Sequence, residues 1–140
     1  MNSIELSEKQ LARIREQFEQ VPLARLIGLQ LGHVARGTAT LRIIVRDELK
    51  QNKGLLHGGV IASLIDTAAA FAALTVLEES EQAATIDLTI HYLRPVTTGE
   101  INARATVLRA GRRIIFLNAE VFDEPQTLVA TAVTTFARLS

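Results

Sequence analysis

The sequence predicts an α+β fold: a curled antiparallel sheet of about six strands wrapped around one long central helix, with a short helix at the N-terminus. Three observations lead there. The stretch from His57 to Leu74 is apolar on nearly every side, and such a helix is normally enclosed by other structure rather than laid on a surface. Two β-prone runs precede it and four follow it, an order that does not alternate strand with helix and so favours antiparallel pairing. The connections between successive runs are short and carry glycine or proline, as hairpins require.

In chain order, Ser7 to Gln20 places Leu11, Ile14 and Phe18 at helical spacing, with Ser7 as cap and Gln10 as its capping-box partner. Val21-Pro22 ends that helix, and Pro22 to Gly28 reads as a turn or a second short helical piece. Gln30 to Val34 and Thr38 to Val45 form a hairpin about Arg36-Gly37. Asp47 to Leu56 is polar, contains Gly54 and reads as a loop delivering the chain to the helix at His57.

After the helix, Thr85 to Tyr92 alternates strictly, with Ile86, Leu88, Ile90 and Tyr92 on one face of a half-buried strand. Arg94-Pro95 and Thr97-Thr98-Gly99 turn the chain into a strand that puts Ile101, Ala103, Ala105 and Val107 on one face. Arg113 to Phe122 and Leu128 to Arg138 complete the set, separated by Asp123-Glu124-Pro125-Gln126. One curled sheet leaves edges and apolar residues that a second copy would cover.

At 140 residues the expectation is a single domain, 1–140, able to bury a sizeable core. Fifteen basic and fifteen acidic residues cancel, which argues against a broad electrostatic grip on nucleic acid. There is no cysteine, and His33, His57 and His91 show no chelating spacing with carboxylates, so neither a metal nor a cofactor is expected. Met1 to Gln20 mixes both charges with apolar residues, unlike a signal or transit peptide, and the expected compartment is the cytoplasm. Val60 to Leu77 approaches a membrane span in length. Asp66 at its centre costs roughly 2.5 to 3.5 kcal/mol in a bilayer, and strand patterns follow, so a core helix is the better reading.

Asp66 is the residue that calls for a reason. A charged side chain in apolar surroundings is costly without a partner or a task. Ser63, Thr67 or backbone groups could satisfy it, or it could serve chemistry.

The run Gly54-Leu55-Leu56-His57-Gly58-Gly59, followed by Asp66 and then Asp87, Tyr92, Pro95 and Gly99, resembles the PaaI-like acyl-CoA thioesterases of the hotdog superfamily. The resemblance extends over nearly the whole chain after Gln30. It implies hydrolysis of acyl-CoA or related thioesters by a homodimer or a dimer of dimers, without a metal. It also implies a carbonyl- or water-placing amide six residues before the histidine, where this chain has Gln51, with Asn52 beside it. A hydroxyl that holds the attacking water corresponds to Thr85.

Elementary chemistry agrees with several of these roles. Amides at a helix N-terminus are unpaired and carry the positive end of the dipole, so Gly58 N–H suits a thioester oxygen gaining charge, with Gly59 admitting the substrate. The glycine pair could equally serve a tight helix entry. His57 could orient a carbonyl through a ring N–H or cap the helix. Asp66 could attack the carbonyl or take a proton from water.

Eight helical residues separate Gly58 from Asp66, about 12 Å of rise, too far for one carbonyl to meet both on one chain. The acid of one protomer is therefore expected to face Gly58 of its neighbour. Arg109, Arg112 and Arg113 at a hairpin turn are candidates for the phosphates of coenzyme A, and Arg94 is a lesser one. Phe18, Leu26, Phe71 and Leu74 are candidates for the acyl pocket. A hydratase or dehydratase on the same fold is the first alternative, although the Pro-Gly-Val helix entrance of fatty-acid dehydratases is absent. A non-catalytic acyl-CoA-binding protein is the second. No Gly-x-Ser-x-Gly elbow is present for a serine hydrolase.

Overall fold

The computed structural model describes residues 5–140. Met1 to Ile4, which belong to the stretch read as free of a targeting signal and to the expected 1–140 domain, lie outside the described residues. The chain opens with α1 (Glu8–Glu19), whose capping box forms as the sequence predicts: Gln10 N–H donates to Ser7 Oγ at 3.1 Å, and Ser7 N–H donates to Gln10 Oε1 at 2.8 Å. The Pro22–Gly28 segment is helical, as α2 (Pro22–Ile27), and ends on Gly28 in the left-handed region at φ 84°.

Strands β1 (Gln30–Ala35) and β2 (Thr38–Ile44) form the expected hairpin. Its turn is tied to the far end of the central helix, because Gly37 N–H donates to Thr75 Oγ at 2.7 Å. The following loop is less open than the sequence suggests. It contains one 3₁₀ turn, Asp47–Leu49, and an antiparallel bridge between Lys50 and Leu56 closes its base. Then come α3 (Gly58–Leu74), β3 (Gln82–Tyr92), β4 (Glu100–Ala110), β5 (Ile114–Phe122) and β6 (Leu128–Leu139).

All six strands pair antiparallel in the order β1-β2-β4-β5-β6-β3. This is the hotdog arrangement: the sheet curls, and α3 lies inside the curl. Leu64, Ile65, Ala68, Ala69, Ala72 and Ala73 on the helix are fully buried against Ala103, Ala105, Leu117, Ala119 and Ala130 of the sheet. Alanine recurs on both surfaces because a sheet bent tightly around a helix leaves little depth for side chains. Larger residues such as Leu41, Ile43, Ile101, Ile115 and Phe136 fill the rest, each worth roughly 1.5 to 3 kcal/mol of burial.

Two departures from this closed picture position the site. The helix is not covered all round: Ser63, Asp66, Thr67 and Ala70, spaced as one helical stripe, stay half-buried. Strand β3 beside that stripe stands at an edge of the sheet, paired on one side only, with β6.

The strict alternation read for β3 is also broken by a bulge between Thr85 and Asp87. Leu88, Ile90 and Tyr92 keep one face, opposite Thr134, Ala132 and Ala130, but Ile86 is 52% exposed and Thr85 is paired with buried Phe136. Thr134 Oγ and Thr135 Oγ donate to the backbone carbonyl and the carboxylate of Asp87 at 2.7 and 2.9 Å, which holds the bulge in place. An unbroken alternation would have turned Thr85 away from the helix. The extra residue turns it inward.

Candidate active site

Asp66 rides on the uncovered stripe of α3, and its carboxylate meets the residue that the bulge redirects. Thr85 Oγ donates to Asp66 Oδ1 at 2.8 Å. The surroundings are not the sealed apolar interior that the composition of the helix suggested, since Asp66 is only half-buried. Neither Ser63 nor Thr67 is its partner: Ser63 Oγ donates instead to Gly59 O at 2.9 Å. One carboxylate oxygen is thus fixed by a neutral donor, and Oδ2 has no hydrogen-bond partner among the described residues.

The other end of the stripe is built around the helix entrance. His57 is the N-cap, with Nδ1 accepting from Gly59 N–H at 2.8 Å. In the neutral ring this puts the proton on Nε2, which remains a free donor on an exposed side chain. The capping reading of His57 is what the geometry shows, and the ring's other nitrogen is left without a partner among the described residues. Glycine at 59 leaves the cap room, because a Cβ there would stand 3.0 Å from His57 Nδ1 and crowd the ring.

Gly58 N–H has no acceptor among the described residues, the state expected for the first amide of a helix. Tyr92, at the end of β3, braces this turn. Its hydroxyl donates to Gly58 O at 2.8 Å, and a Cβ added at Gly58 would lie 3.4 Å from the ring.

Gly58 and Tyr92 share a cleft of about 310 Å³ with Gln51, Leu55, Ile61 and Arg94. Gln51 Oε1 accepts from Lys53 N–H, which commits the carbonyl half of the amide and leaves its NH₂ as the group available to a ligand. Asn52 is exposed beside it and lines no part of this cleft.

The described residues gather the proposed site residues into two groups. Asp66 and Thr85 form one, and Gly58, Gly59, His57 and Gln51 form the other. The two lie about 12 Å apart along one helix.

Arg109, Arg112 and Arg113 line a separate hollow with Gly111, Ile114 and Phe116 at the β4–β5 turn. Ile114 and Phe116 alternate with buried Ile115 and Leu117, so this hollow is on the outer face of the sheet. The register Thr85, Phe136, Ile115, Ala110 separates it from Thr85 by three strand spacings, roughly 14 Å.

Two residues stand out that the sequence reading undervalued. Alternation sets Tyr92 among the strand's apolar side chains, although a phenol at a strand end needs a partner for its hydroxyl, and that need is the signal in the sequence. Arg94, the lesser candidate by sequence, is the cation lining the same cleft as Gly58.

Comparison with known proteins brings a consistent set of relatives. A sequence model of the thioesterase superfamily matches residues 53–130, the span from the loop before α3 into β6. The medium/long-chain acyl-CoA thioesterase YigI of Salmonella typhimurium is 30% identical over 152 aligned residues, covering 97% of this chain and 98% of that protein. Among solved structures, the Escherichia coli PaaI protein from the phenylacetic acid degradation operon superposes with a TM-score of 0.89 at 25% identity, covering 97% of each chain. A thioesterase from Haemophilus influenzae gives a TM-score of 0.84 at 26% identity, covering 89% of this chain and 87% of its own.

Proposed function

Because the chain belongs to the thioesterase superfamily, we propose that it hydrolyses an acyl-CoA to free acid and coenzyme A in a site shared by two copies. The observation that carries this reading is the layout of β3. Thr85, which holds Asp66, stands near one end of this free edge strand, and Tyr92, which holds Gly58, stands at the other. With one residue taken up by the bulge they stand six ladder positions apart, about 20 Å.

An antiparallel pairing of two β3 strands about a two-fold axis near Thr89 sets the Thr85 end of one beside the Tyr92 end of the other. Asp66 then faces the partner's Gly58, and the pair recurs on the opposite side of the axis. The same pairing covers an edge strand of eleven residues, a length that proteins seldom leave open, and it covers the bare stripe of α3.

In such a site the thioester oxygen accepts from the partner's Gly58 N–H, which stabilises the charge that develops on it. Asp66 Oδ2 either removes a proton from a water that adds to the carbonyl carbon or adds to that carbon itself. In the first case the tetrahedral intermediate expels coenzyme A thiolate and leaves the acid. In the second, coenzyme A thiolate is expelled as an acyl-aspartyl anhydride forms, and water then hydrolyses the anhydride to free acid and the restored carboxylate. Thr85 keeps the carboxylate aimed, and its hydroxyl oxygen can accept from the attacking water. The Gln51 NH₂ and the His57 Nε2–H of the partner subunit supply further donors for the carbonyl or the water.

Coenzyme A phosphates have Arg94 at the Gly58 cleft, with Arg109, Arg112 and Arg113 as a more distant cationic group. A second contact, through the outer sheet face where Phe116 and Val133 are 43% and 57% exposed, would join two dimers.

Release of free thiol from saturated acyl-CoAs is the expected outcome for the purified protein. Loss of the enoyl double bond without thiol release would identify a hydratase instead. Tight binding of coenzyme A thioesters with no turnover of any would identify a carrier or assembly role.

A further inference from the structure

A cavity of about 770 Å³ lies between the end of α1, the second half of α3 and the start of β3. It falls within the size of small-molecule pockets. Its lining mixes an apolar strip, Val21, Ala70, Phe71, Leu74 and Ala83, with six polar or charged residues. Phe71 is backed by Phe18 in an edge-to-face pair with centroids 5.4 Å apart, so that part of the strip is stiff.

The apolar strip starts one helical turn beyond the acid, which does not itself line the cavity. Ala70 is one helical turn beyond Asp66 on the same stripe, and Ala83 precedes Thr85 by two residues on the same face of β3. We infer that this cavity receives the acyl tail of a straight-chain acyl-CoA and sets its length, an inference that rests on the thioesterase site proposed above.

Charge decides the direction in which the substrate lies. Glu79 and Glu81 line this cavity and no lysine or arginine among the described residues does; Glu81 is paired with Arg138 at 2.8 Å, which leaves Glu79 as the charge that disfavours the phosphates of coenzyme A. The cleft at Gly58 contains Arg94. In the paired arrangement the two openings meet at the carbonyl, with the coenzyme leaving over the partner's Arg94 and the tail running along α3.

The helix then acts as a ruler. From Asp66 to Leu74 the axis advances about 12 Å, the extended length of a chain of roughly ten bonds. Ala70 stands at about half that distance, beside the fifth carbon. Its methyl is what keeps the channel open.

The test is a chain-length profile of thiol release for the wild-type protein and for Ala70→Phe, with Ala70→Leu as a milder variant. Thermal melting checks that each variant is folded. For the wild type, kcat/KM should rise about fourfold per added methylene, the value of burying that group, and level off near ten carbons. Ala70→Phe should retain butyryl-CoA hydrolysis within about threefold and lose roughly a thousandfold on decanoyl-CoA, about fourfold for each of five excluded methylenes. Ala70→Leu should shift the optimum to shorter chains in the same sense.

If both folded variants keep the wild-type profile, or lose butyryl-CoA and decanoyl-CoA equally, the channel is elsewhere while the thioesterase reading survives. If the wild type releases thiol from no acyl-CoA, it is the underlying reading that fails.

Discussion

Asp66→Asn is expected to lower kcat by about 10²- to 10⁴-fold, the usual span for removing a positioned base, and the upper part of it if the carboxylate attacks directly. The fold should not suffer. Asparagine is nearly isosteric and its Oδ1 can still accept from Thr85 Oγ, the bond that aspartate makes at 2.8 Å. What disappears is the basic second oxygen. KM should stay within a few-fold of wild type, because the side chain acts on the carbonyl carbon in the transition state rather than on the bound coenzyme. The measurement is steady-state thiol release on a good substrate, with melting temperature as the control. A folded Asp66→Asn protein turning over at the wild-type rate would remove Asp66 from the chemistry.

Gly58→Val is the second large effect, and it acts through space rather than through loss of a functional group. The backbone N–H remains, but a Cβ at this position already lies 3.4 Å from the Tyr92 ring and hydroxyl. Two further methyls must either push Tyr92 off Gly58 O or stand over the amide. Each outcome separates the N–H from the oxygen it should stabilise. Loss of one such donor costs about 10²- to 10³-fold in kcat, and kcat/KM for Gly58→Val should fall by at least that much. Gly58→Ala, which adds only the first carbon, should fall between the two. Stability should change little, since the residue lies in the first turn and is only half-buried.

Much of the fold was legible because the decisive patterns are local. The enclosure of α3 follows from its lack of a polar face, and its start follows from the histidine cap and the glycines behind it. The hairpins follow from short turns such as Arg36-Gly37. The site was harder for three separate reasons.

Alternation, read literally, would put Thr85 on the outer face. Only the bulge, stabilised by Thr134 and Thr135 from a strand about fifty residues further along, brings its hydroxyl to Asp66. The environment of Asp66 was misjudged because helix composition cannot say which stripe the sheet leaves bare. That depends on β3 coming to rest at the sheet edge after pairing with the last strand rather than with its neighbours in sequence.

The acyl-pocket candidates divide for a similar reason. Phe71 and Leu74 line the cavity beside Asp66, and Phe18 backs Phe71, but Leu26 on α2 is 73% exposed and lines none of it. Residue type alone distinguishes none of these.

The central claim is that the acid and the amide serving one carbonyl come from different chains, and mixing the two defective variants tests it most directly. Asp66→Asn and Gly58→Val proteins, each nearly inactive, would be unfolded and refolded together in equal amounts. Half of the resulting dimers then contain one chain of each kind, and in those the intact Asp66 of one chain faces the intact Gly58 of the other at one of two sites. Activity should return to about a quarter of the wild-type level. Verified mixed dimers with no activity above the two parents would contradict a site built across the interface.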